Sequence, residues 1–419
     1  MADDVVSWFA GVDWGSERHQ VCLLDAAGQV VGERAFRHDG AGLAALCDWL
    51  VSIAGEPSRV AVAIEVPHGP VVDALLDRGF AVHAINPKQL ERLRDRVSLA
   101  GAKDDRRDAR VAAGGLRTDP HLFRPIEAGD PAVIALREWS RLAEELQQER
   151  VRLGNRIRQQ LWRYYPQLLA VSDDVTAEWV LDLWTLAPTP TKAARLREAT
   201  LARLLQRHRI RRLDAEQVVG LLRQRAITVA EGVTEAAVLH LRSLVARLRL
   251  ANREFHQAER KLDELCTNLR DKTSTPKSGG PCDAAVLSSL PGIGTVTLAT
   301  LLTEAAGPIK RRDYAALRTL SGVAPVTKRS GKSCLVTMRY AAQVRLRNAV
   351  FHWARVAVLN DPKCASRYAA LRARGHSYGR ALRGVADRLL GVACVLLQRG
   401  KLFDPDHGTP TAPQVTAIP

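Results

Sequence analysis

Short hydrophobic runs separated by polar turns dominate the first 85 residues. Runs of this length predict β-strands. The predicted strands cover residues 6–12, 20–24, 30–36, 59–66 and 81–85. The run at 59–66 is almost continuously apolar, as expected for a strand buried on both faces of a sheet.

Helical spacing of hydrophobic residues fills the intervals between these strands and continues after the last one. The predicted helices cover residues 43–53, 70–78, 87–96 and 101–118. A hairpin, a third strand and then alternating helices and strands is the order of a ribonuclease-H-like domain. We therefore predict an α/β domain over residues 1–128.

Two longer stretches, 132–165 and 239–269, carry hydrophobic residues at three- and four-residue steps, which predicts long solvated helices or the halves of a coiled coil. The repeating residues are Leu142, Leu146, Leu153, Ile157 and Leu161, and then Leu241, Leu244, Leu248, Leu262 and Leu265. We predict that the two helices pair as an antiparallel arm within an all-α region, 129–271. A helical, basic insert at 175–229 separates them, with its densest charge at 207–212.

The C-terminal third begins after a segment rich in Gly, Ser and Pro, which predicts a linker at 272–283. A mostly helical domain is predicted over 284–403, followed by a disordered Pro/Thr-rich tail at 404–419. Within the domain, the run from Leu290 to Gly294 joins two apolar helical stretches. This is a helix–hairpin–helix signature, in which a turn at Gly292 and Gly294 presents N–H groups to a phosphate.

The charge balance points to a polyanionic partner. The 419 residues carry a formal net charge of +16, with a pI near 10, and nucleic acid is the commonest partner of such a protein. An Arg-rich composition without a binding role is the alternative. The acidic N-terminus and the lack of a long apolar run predict neither a signal peptide nor a membrane span.

The cysteines argue against zinc and disulfides. None of the seven forms a C-x-x-C pair, and their wide spacing predicts reduced thiols in a cytoplasmic protein. They are Cys22, Cys47, Cys266, Cys282, Cys334, Cys364 and Cys394.

Two acidic residues stand at the ends of predicted strands. Asp13 follows the first strand in Gly11-Val12-Asp13, and Glu65 follows the apolar run 60–64. A carboxylate at the end of a buried strand is unfavourable without a partner. Asp13 is otherwise a strand-end turn residue, or the first acid of an actin-like ATPase or sugar kinase, but no second Asp-Gly phosphate loop follows. Glu65 is otherwise an exposed strand terminus.

A second acid pair, Asp105 and Asp108, lies one helical turn apart and so shares a helix face. Two carboxylates at this spacing repel each other unless a cation lies between them. Asp104 is a competing ligand candidate, and a solvated charged face is the alternative interpretation. Together with Asp13 and Glu65 the pair predicts a site for Mg²⁺ or Mn²⁺, because hard oxygen ligands select such ions.

Ser330 lies in a predicted flexible basic loop, Thr327-Lys328-Arg329-Ser330-Gly331-Lys332-Ser333. Lys328, Arg329 and Lys332 could bind phosphate oxygens and stabilise charge in a transition state. Ser330 is therefore a candidate nucleophile. Ser333 is a rival nucleophile and Ser321 a weaker one. A loop that only contacts phosphate is the alternative.

These motifs, taken in order, resemble the DEDD-type insertion-sequence transposases, a family that includes the pilin-gene invertases and RNA-guided recombinases. The resemblance covers almost the whole chain. The motifs that carry it are Gly11-Val12-Asp13, Ile64-Glu65, Lys103-x-Asp105-x-x-Asp108-Ala109, Leu290-Pro-Gly-Ile-Gly294, Ser321-Gly-Val-Ala-Pro325 and Arg329-Ser330-Gly331. One departure follows the serine, where the family often has Gly-Asn before an Arg and this chain reads Tyr340-Ala-Ala-Gln-Val-Arg345-Leu-Arg347.

The resemblance implies a RuvC-like nuclease domain, a coiled-coil arm and a C-terminal domain with a nucleophilic serine. The metal-binding and catalytic acids would be Asp13, Glu65, Asp105 and Asp108, with Ser330 as the nucleophile. It implies dimers or tetramers, double-stranded donor and target DNA, and a structured noncoding guide RNA. The predicted nucleic-acid contacts are Lys103, Arg106, Arg107, Gly292, Gly294, Lys328, Arg329, Lys332, Arg345 and Arg347.

Two other functions remain open from the sequence. One is a RuvC-like junction endonuclease that uses water as its nucleophile, with Ser330 a phosphate contact. The other is a nucleic-acid-binding protein without catalytic activity. In the transposase interpretation, the distance along the chain between the acids and Ser330 predicts an active site assembled between domains or between protomers.

Overall fold

The computed structural model describes residues 6–97, 104–126, 129–271, 281–331 and 333–405. The chain divides into two compact units, Met1–Asp130 and Pro131–Pro419. A mixed parallel and antiparallel sheet flanked by four helices in the first unit precedes a mostly helical second unit. The predicted combination of α/β and all-α parts is therefore confirmed at this level.

The first unit is built on one six-stranded sheet in the order β3-β2-β1-β4-β5-β6. β1 pairs antiparallel with β2 and parallel with β4. Two one-turn 3₁₀ helices lie at Pro57–Arg59 and Pro120–Leu122. The elements are β1 (Trp8–Asp13), β2 (Arg18–Asp25), β3 (Val30–Arg37), α1 (Gly40–Ala54), β4 (Val60–Ile64), α2 (Pro70–Asp77), β5 (Ala81–Ala84), α3 (Pro87–Val97), α4 (Asp105–Thr118) and β6 (Arg124–Pro125).

The two faces of this sheet have separate hydrophobic cores, because successive side chains of a strand point to opposite faces. Ala10, Val12, Val62 and Ile64 pack with the helices α1 and α2. The alternating positions of β4, Ala61 and Ala63, pack with residues of α3 and α4 instead. Small residues on this second face let α4 approach the sheet closely.

The hydrophobic pattern located most of these elements to within three residues. The exceptions are β6, which is only two residues long, and the start of α4, which was predicted at residue 101. Residues 98–103 lie outside the described part of the chain.

The second unit contains fourteen helices and one hairpin among its described residues. They are α5 (Pro131–Tyr164), α6 (Gln167–Val171), α7 (Glu178–Leu186), α8 (Pro190–Ala194), α9 (Glu198–Arg207), α10 (Ala215–Leu222), α11 (Val233–Asp271), α12 (Asp283–Ser288), α13 (Thr295–Glu304), α14 (Ala306–Lys310), α15 (Tyr314–Leu320), β7 (Val326–Ser330), β8 (Ser333–Thr337), α16 (Val344–Asn360), α17 (Pro362–Ala373) and α18 (Tyr378–Arg399).

The two long helices α5 and α11 run antiparallel to each other. Arg150 Nε donates to Asn252 Oδ1 at 2.7 Å, and Arg156 contacts His240 further along both helices. Most of the predicted repeating leucines are buried, but Leu142 remains 41% exposed. The hydrophobic face of each helix is therefore covered mainly by its neighbours in the same unit.

The basic insert folds into short helices over one end of this helix pair. Trp179 and Trp184 are buried in a cluster that includes residues of both α5 and α11. Arg207 and His208 both contact Asp182 Oδ2, at 2.7 and 2.9 Å. Part of the dense positive charge at 207–212 is therefore neutralised inside the insert.

The remaining helices pack with α5 and α11 in a further hydrophobic cluster, in which Trp353 is fully buried and donates to the Pro291 carbonyl at 2.9 Å. The segment predicted as a flexible basic loop is instead a β-hairpin, β7–β8. Neither strand alternates apolar and polar residues, and almost all of their side chains are exposed, so the local pattern does not predict the hairpin. Most of the predicted linker (272–280) and of the predicted tail (406–419) lies outside the described residues. No helix in the described ranges has both the length and the hydrophobicity to cross a membrane.

Candidate active site

Asp13 and Glu65 lie at the same edge of the sheet. β1 and β4 are parallel neighbours whose register pairs Val12 with Ile64, so the next residue of each chain segment is an acid. Neighbouring strands lie about 5 Å apart, and residues in register point to the same face. The two carboxylates therefore share one face at the carboxyl ends of two central strands.

That face is the one covered by α4. A Cβ placed on Gly11 would lie 1.9 Å from the Ala109 carbonyl oxygen and 2.7 Å from the Ala113 nitrogen. Gly11 is two residues before Asp13, so both point to the same face. Because Gly11 has no side chain, the α4 backbone can rest directly on β1.

The direction of α4 brings its N-terminus toward the acidic edge. Its C-terminal half lies over Leu24, which pairs with Phe9 at the far end of β1. Asp105 belongs to the helix stripe that continues through Ala109 and Ala113, above β1. Asp108 belongs to the neighbouring stripe, which continues through Ala112 toward β4 and α3. All four predicted acids thus belong to one face near one edge of the sheet.

Asp108 is the most buried of the four acids. It is only 3% exposed, and its Oδ2 accepts a hydrogen bond from Arg94 Nη1 at 2.8 Å. Its Oδ1 is buried and has no hydrogen-bond partner among the described residues. Arg94, on α3, did not emerge from the sequence, because nothing in the local pattern links it to a residue fourteen positions later.

The four acids do not form a preassembled metal centre. Within the described ranges, no three His, Cys, Asp or Glu side chains lie together as a metal-binding group. The residues nevertheless fit a hard divalent cation, since all four supply carboxylate oxygens and one buried oxygen lacks a partner. Asp104, the competing ligand candidate, caps α4 instead, because its side chain accepts from the Arg106 N–H.

Ser330 belongs to the second unit and ends β7. It pairs directly with Ser333 across a two-residue connection, so both hydroxyls lie on one face of the hairpin. Lys328, Arg329, Ser330 and Ser333 are all exposed, whereas Lys332 lies outside the described residues. Ser321 is fully buried and its hydroxyl donates to the Leu317 carbonyl at 2.7 Å. Burial therefore argues against Ser321 as a nucleophile.

The predicted contacts Arg106 and Arg107 line an open groove along the outer face of α4. Three further arginines contribute to it, namely Arg96, Arg110 and Arg117. Arg117 is partly held by the Ala26 carbonyl, and Arg96 by Asp119. Gly114 and the acidic residues Glu33 and Asp104 also line the groove. Lys103, the remaining cation predicted here, is outside the described residues.

The glycine turn before α13 has a packing role. Gly292 has a φ of +79°, and a Cβ there would lie 2.7 Å from the Ala357 nitrogen of α16. Gly294 caps α13 in open space, but the adjacent Thr295 hydroxyl donates to Asp263. An acidic side chain at this helix terminus opposes phosphate binding, so the predicted helix–hairpin–helix contact gains no support from the geometry.

Arg345 is committed to contacts within its own unit. It donates to Glu144, to Glu304 at 3.0 Å and to Ser140 at 3.1 Å, which joins α16 to α13 and α5. These partners occupy the guanidinium group and so disfavour the predicted nucleic-acid contact. Arg347 is half-buried against Gly322.

Two transposase family models match the chain, one in its N-terminal part and one in its C-terminal part. A family model described as a transposase, of the DEDD type associated with IS110, matches residues 10–166. A second model, described as the transposase IS116/IS110/IS902 family, matches residues 284–369. The first range contains Asp13, Glu65, Asp105 and Asp108, and the second contains Ser330.

The chain is also similar to individual proteins that are putative transposases or are encoded by insertion elements. The mini-circle putative transposase for IS117 from Streptomyces coelicolor is 31% identical over 416 residues, which is 96% of this chain and 97% of that protein. The putative transposase y4uE from Sinorhizobium fredii is 61% identical over 209 residues, which is 49% of this chain and 58% of that protein. An uncharacterized 43.6 kDa protein of the insertion element IS110 from S. coelicolor is 27% identical over 410 residues.

Proposed function

Because the chain belongs to the IS116/IS110/IS902 family of insertion-sequence transposases, we propose that it moves its element by serine-dependent DNA strand transfer. The substrates are double-stranded donor and target DNA. The proposal rests on the residues at the edge of the sheet where β1, β4 and α4 meet. Four carboxylates belong to it, and one of their buried oxygens has no partner among the described residues.

In this proposal the first unit is a RuvC-like nuclease domain at 1–128. Its sheet order, with β1 central between an antiparallel hairpin and parallel β4, supports the assignment. Asp13, Glu65, Asp105 and Asp108 would hold Mg²⁺ or Mn²⁺, whose positive charge would offset the charge that builds on the scissile phosphate. The arm at 129–271 would act as a coiled coil, and 284–403 would supply the nucleophile.

Ser330 is the proposed nucleophile. Its Oγ loses a proton and bonds to the phosphorus, while the bond from phosphorus to one bridging sugar oxygen breaks and that oxygen gains a proton. The phosphoserine ester that results can be attacked by another sugar hydroxyl, which releases the serine and joins the new strand. The exposed hydroxyl of Ser330 beside Lys328 and Arg329 supports this role, since the cations can bind the phosphate oxygens.

The groove on the outer face of α4 is the proposed DNA contact of the first unit. Arg106, Arg107 and Arg110 follow one another along the helix from the acidic edge. A strand bound there through its phosphates would be led to the four acids. Lys328, Arg329 and Lys332 are the corresponding proposed contacts of the second unit.

Two parts of the proposal rest on the family resemblance of the motifs alone. A structured noncoding RNA would guide the protein to its sites, and the active protein would be a dimer or tetramer. Sequencing the RNA that copurifies with the protein, and measuring its mass in solution, test these parts directly.

The decisive experiment incubates the protein with element DNA and Mg²⁺, denatures the mixture and looks for a covalent protein–DNA adduct. We expect an adduct with the wild type and with Ser333→Ala, which is the matched control across the hairpin. We expect none with Ser330→Ala or with Asp13→Asn, although both still bind DNA.

An adduct that survives Ser330→Ala but is lost in Ser333→Ala would identify Ser333 as the nucleophile. Metal-dependent cleavage without any adduct in the wild type would instead favour a junction endonuclease that uses water. DNA binding without any cleavage would favour the non-catalytic interpretation.

A further inference from the structure

The ion pair between Arg94 and Asp108 connects α3 to the first turn of α4. Asp108 is buried, Arg94 is 27% exposed at its side chain, and only one carboxylate oxygen of Asp108 is used. A buried carboxylate needs a compensating charge. In the structure that charge is the Arg94 guanidinium group.

We propose that Arg94 is a positioning residue that neutralises Asp108 while the acid site is metal-free and thereby keeps its affinity for divalent cations low. The inference rests on the proposed metal site. Arg94 holds Oδ2 of Asp108 in an ion pair, whereas the buried Oδ1 has no hydrogen-bond partner among the described residues. A divalent cation that approaches Oδ1 meets a carboxylate whose charge is already partly offset.

Loss of the Arg94 charge should have opposite effects on stability and on metal affinity. Removing the positive charge of Arg94 leaves Asp108 buried and uncompensated, which destabilises the metal-free protein. The same change strengthens the attraction between the acids and a divalent cation, because a repelling charge has been removed. A residue with a purely structural role would lower stability without raising metal affinity.

Arg96, two residues after Arg94 on α3, provides a matched control. Arg96 Nη1 contacts Asp119 Oδ2 at 2.9 Å, so this second ion pair also joins α3 to α4. It lies at the C-terminal end of α4, and Arg96 is 64% exposed. Arg96→Gln therefore removes an equal charge and a similar contact without touching the acid site.

The experiment measures Mn²⁺ binding by electron paramagnetic resonance of the free ion, together with thermal unfolding with and without Mg²⁺. For Arg94→Gln we expect a lower unfolding midpoint without metal and an apparent Kd for Mn²⁺ about tenfold smaller than that of the wild type. Arg94→Lys, which keeps the charge, and Arg96→Gln should both retain the wild-type affinity. The double variant Arg94→Gln/Asp108→Asn should recover the midpoint lost in Arg94→Gln, since no uncompensated charge remains.

Unchanged or weaker Mn²⁺ binding by Arg94→Gln would overturn the role of Arg94 while leaving the metal site intact. If Arg94→Gln does not fold, a double variant that is equally unfolded would overturn the charge argument, and its recovery would support it. Mn²⁺ binding by the wild type that is no tighter than that of Asp108→Asn would refute the proposed metal site itself.

Discussion

Asp108 and His19 are both buried titratable residues of the first unit, but their surroundings favour different charge states. Asp108 has an ion-pair partner, whereas His19 is fully buried beside His38, with Nε2 and Nδ1 of the two rings 2.8 Å apart. Burial lowers the pKa of His19, and the neighbouring His38 lowers it further. His19 is therefore held in its neutral form, and its Nδ1 has no partner among the described residues.

Lowering the pH should destabilise the first unit through His19. Below its ordinary pKa of 6.5, the unfolded chain binds a proton that the native protein excludes, so the free energy of unfolding falls as the pH falls. The slope from one such group is at most about 1.4 kcal/mol per pH unit. Denaturant unfolding between pH 7.5 and 5.5 measures it, and His19→Gln should flatten the dependence. His121→Gln, at an exposed position, should not, and an equal slope in all three proteins would exclude His19 as its source.

Among the elements, α4 is packed against its neighbour through a single glycine of β1. The contact between its backbone and β1 requires a glycine at position 11, because any Cβ there would overlap the Ala109 carbonyl. The same contact determines where Asp105 and Asp108 lie relative to Asp13. The stability of the first unit and the geometry of the proposed acid site therefore depend on the same contact.

We expect Gly11→Ala to displace α4, lower the free energy of unfolding by about 1–3 kcal/mol and abolish cleavage. Gly40→Ala is the control, because a Cβ on Gly40 meets no atom within 4 Å. Chemical denaturation and the cleavage assay provide the two measurements. Equal behaviour of the two variants would show that α4 does not rest on β1 as described.

A comparable contact in the second unit holds α16. We expect Arg345→Ala to lower the free energy of unfolding by about 2 kcal/mol, because Glu304, which is only 11% exposed, loses the nearer of its two arginine partners and keeps only Arg141 at 3.8 Å. Arg347→Ala should change stability little. Thermal unfolding of both variants decides the matter, and a stable Arg345→Ala with weakened DNA binding would restore the nucleic-acid role predicted from the sequence.

For the molecule as a whole, the net charge of +16 is distributed unevenly. Some cations are used internally, such as Arg207 at Asp182 and Arg345 at Glu304. Others are exposed, such as Arg106 and Arg110 in the α4 groove and Lys328 and Arg329 on the β7–β8 hairpin. This second group is the one that we propose to bind phosphates.

DNA binding should therefore depend strongly on salt. With several phosphate contacts, we expect the affinity to fall by about 10³-fold or more between roughly 50 and 200 mM salt. Arg106→Gln/Arg110→Gln should reduce the slope of log K against log salt by about 2, because each lost contact with duplex DNA removes about 0.9. Arg37→Gln, an exposed cation on β3, is the control. A salt-independent affinity would mean that the charge is only compositional.

Local patterns in the chain were sufficient for most of the secondary structure, for the α/β and all-α division and for the family. The two-residue and three-to-four-residue periods record which side chains are buried, so they located nearly every element of the first unit. They failed at β6 and at the β7–β8 hairpin, where too few residues are buried to leave a clear pattern. The acids and Ser330 could be singled out because each stands in an unusual local setting.

Local patterns could not identify which distant residues contact each other. Arg94 is joined to Asp108, Arg345 to Glu144 and Gly11 to Ala109 by contacts between residues distant in sequence. Such pairs are set by strand register and by the packing of helices on the sheet, neither of which has a short sequence signature. For this reason the cations that pair with acids inside the protein could be recognised only from the folded chain.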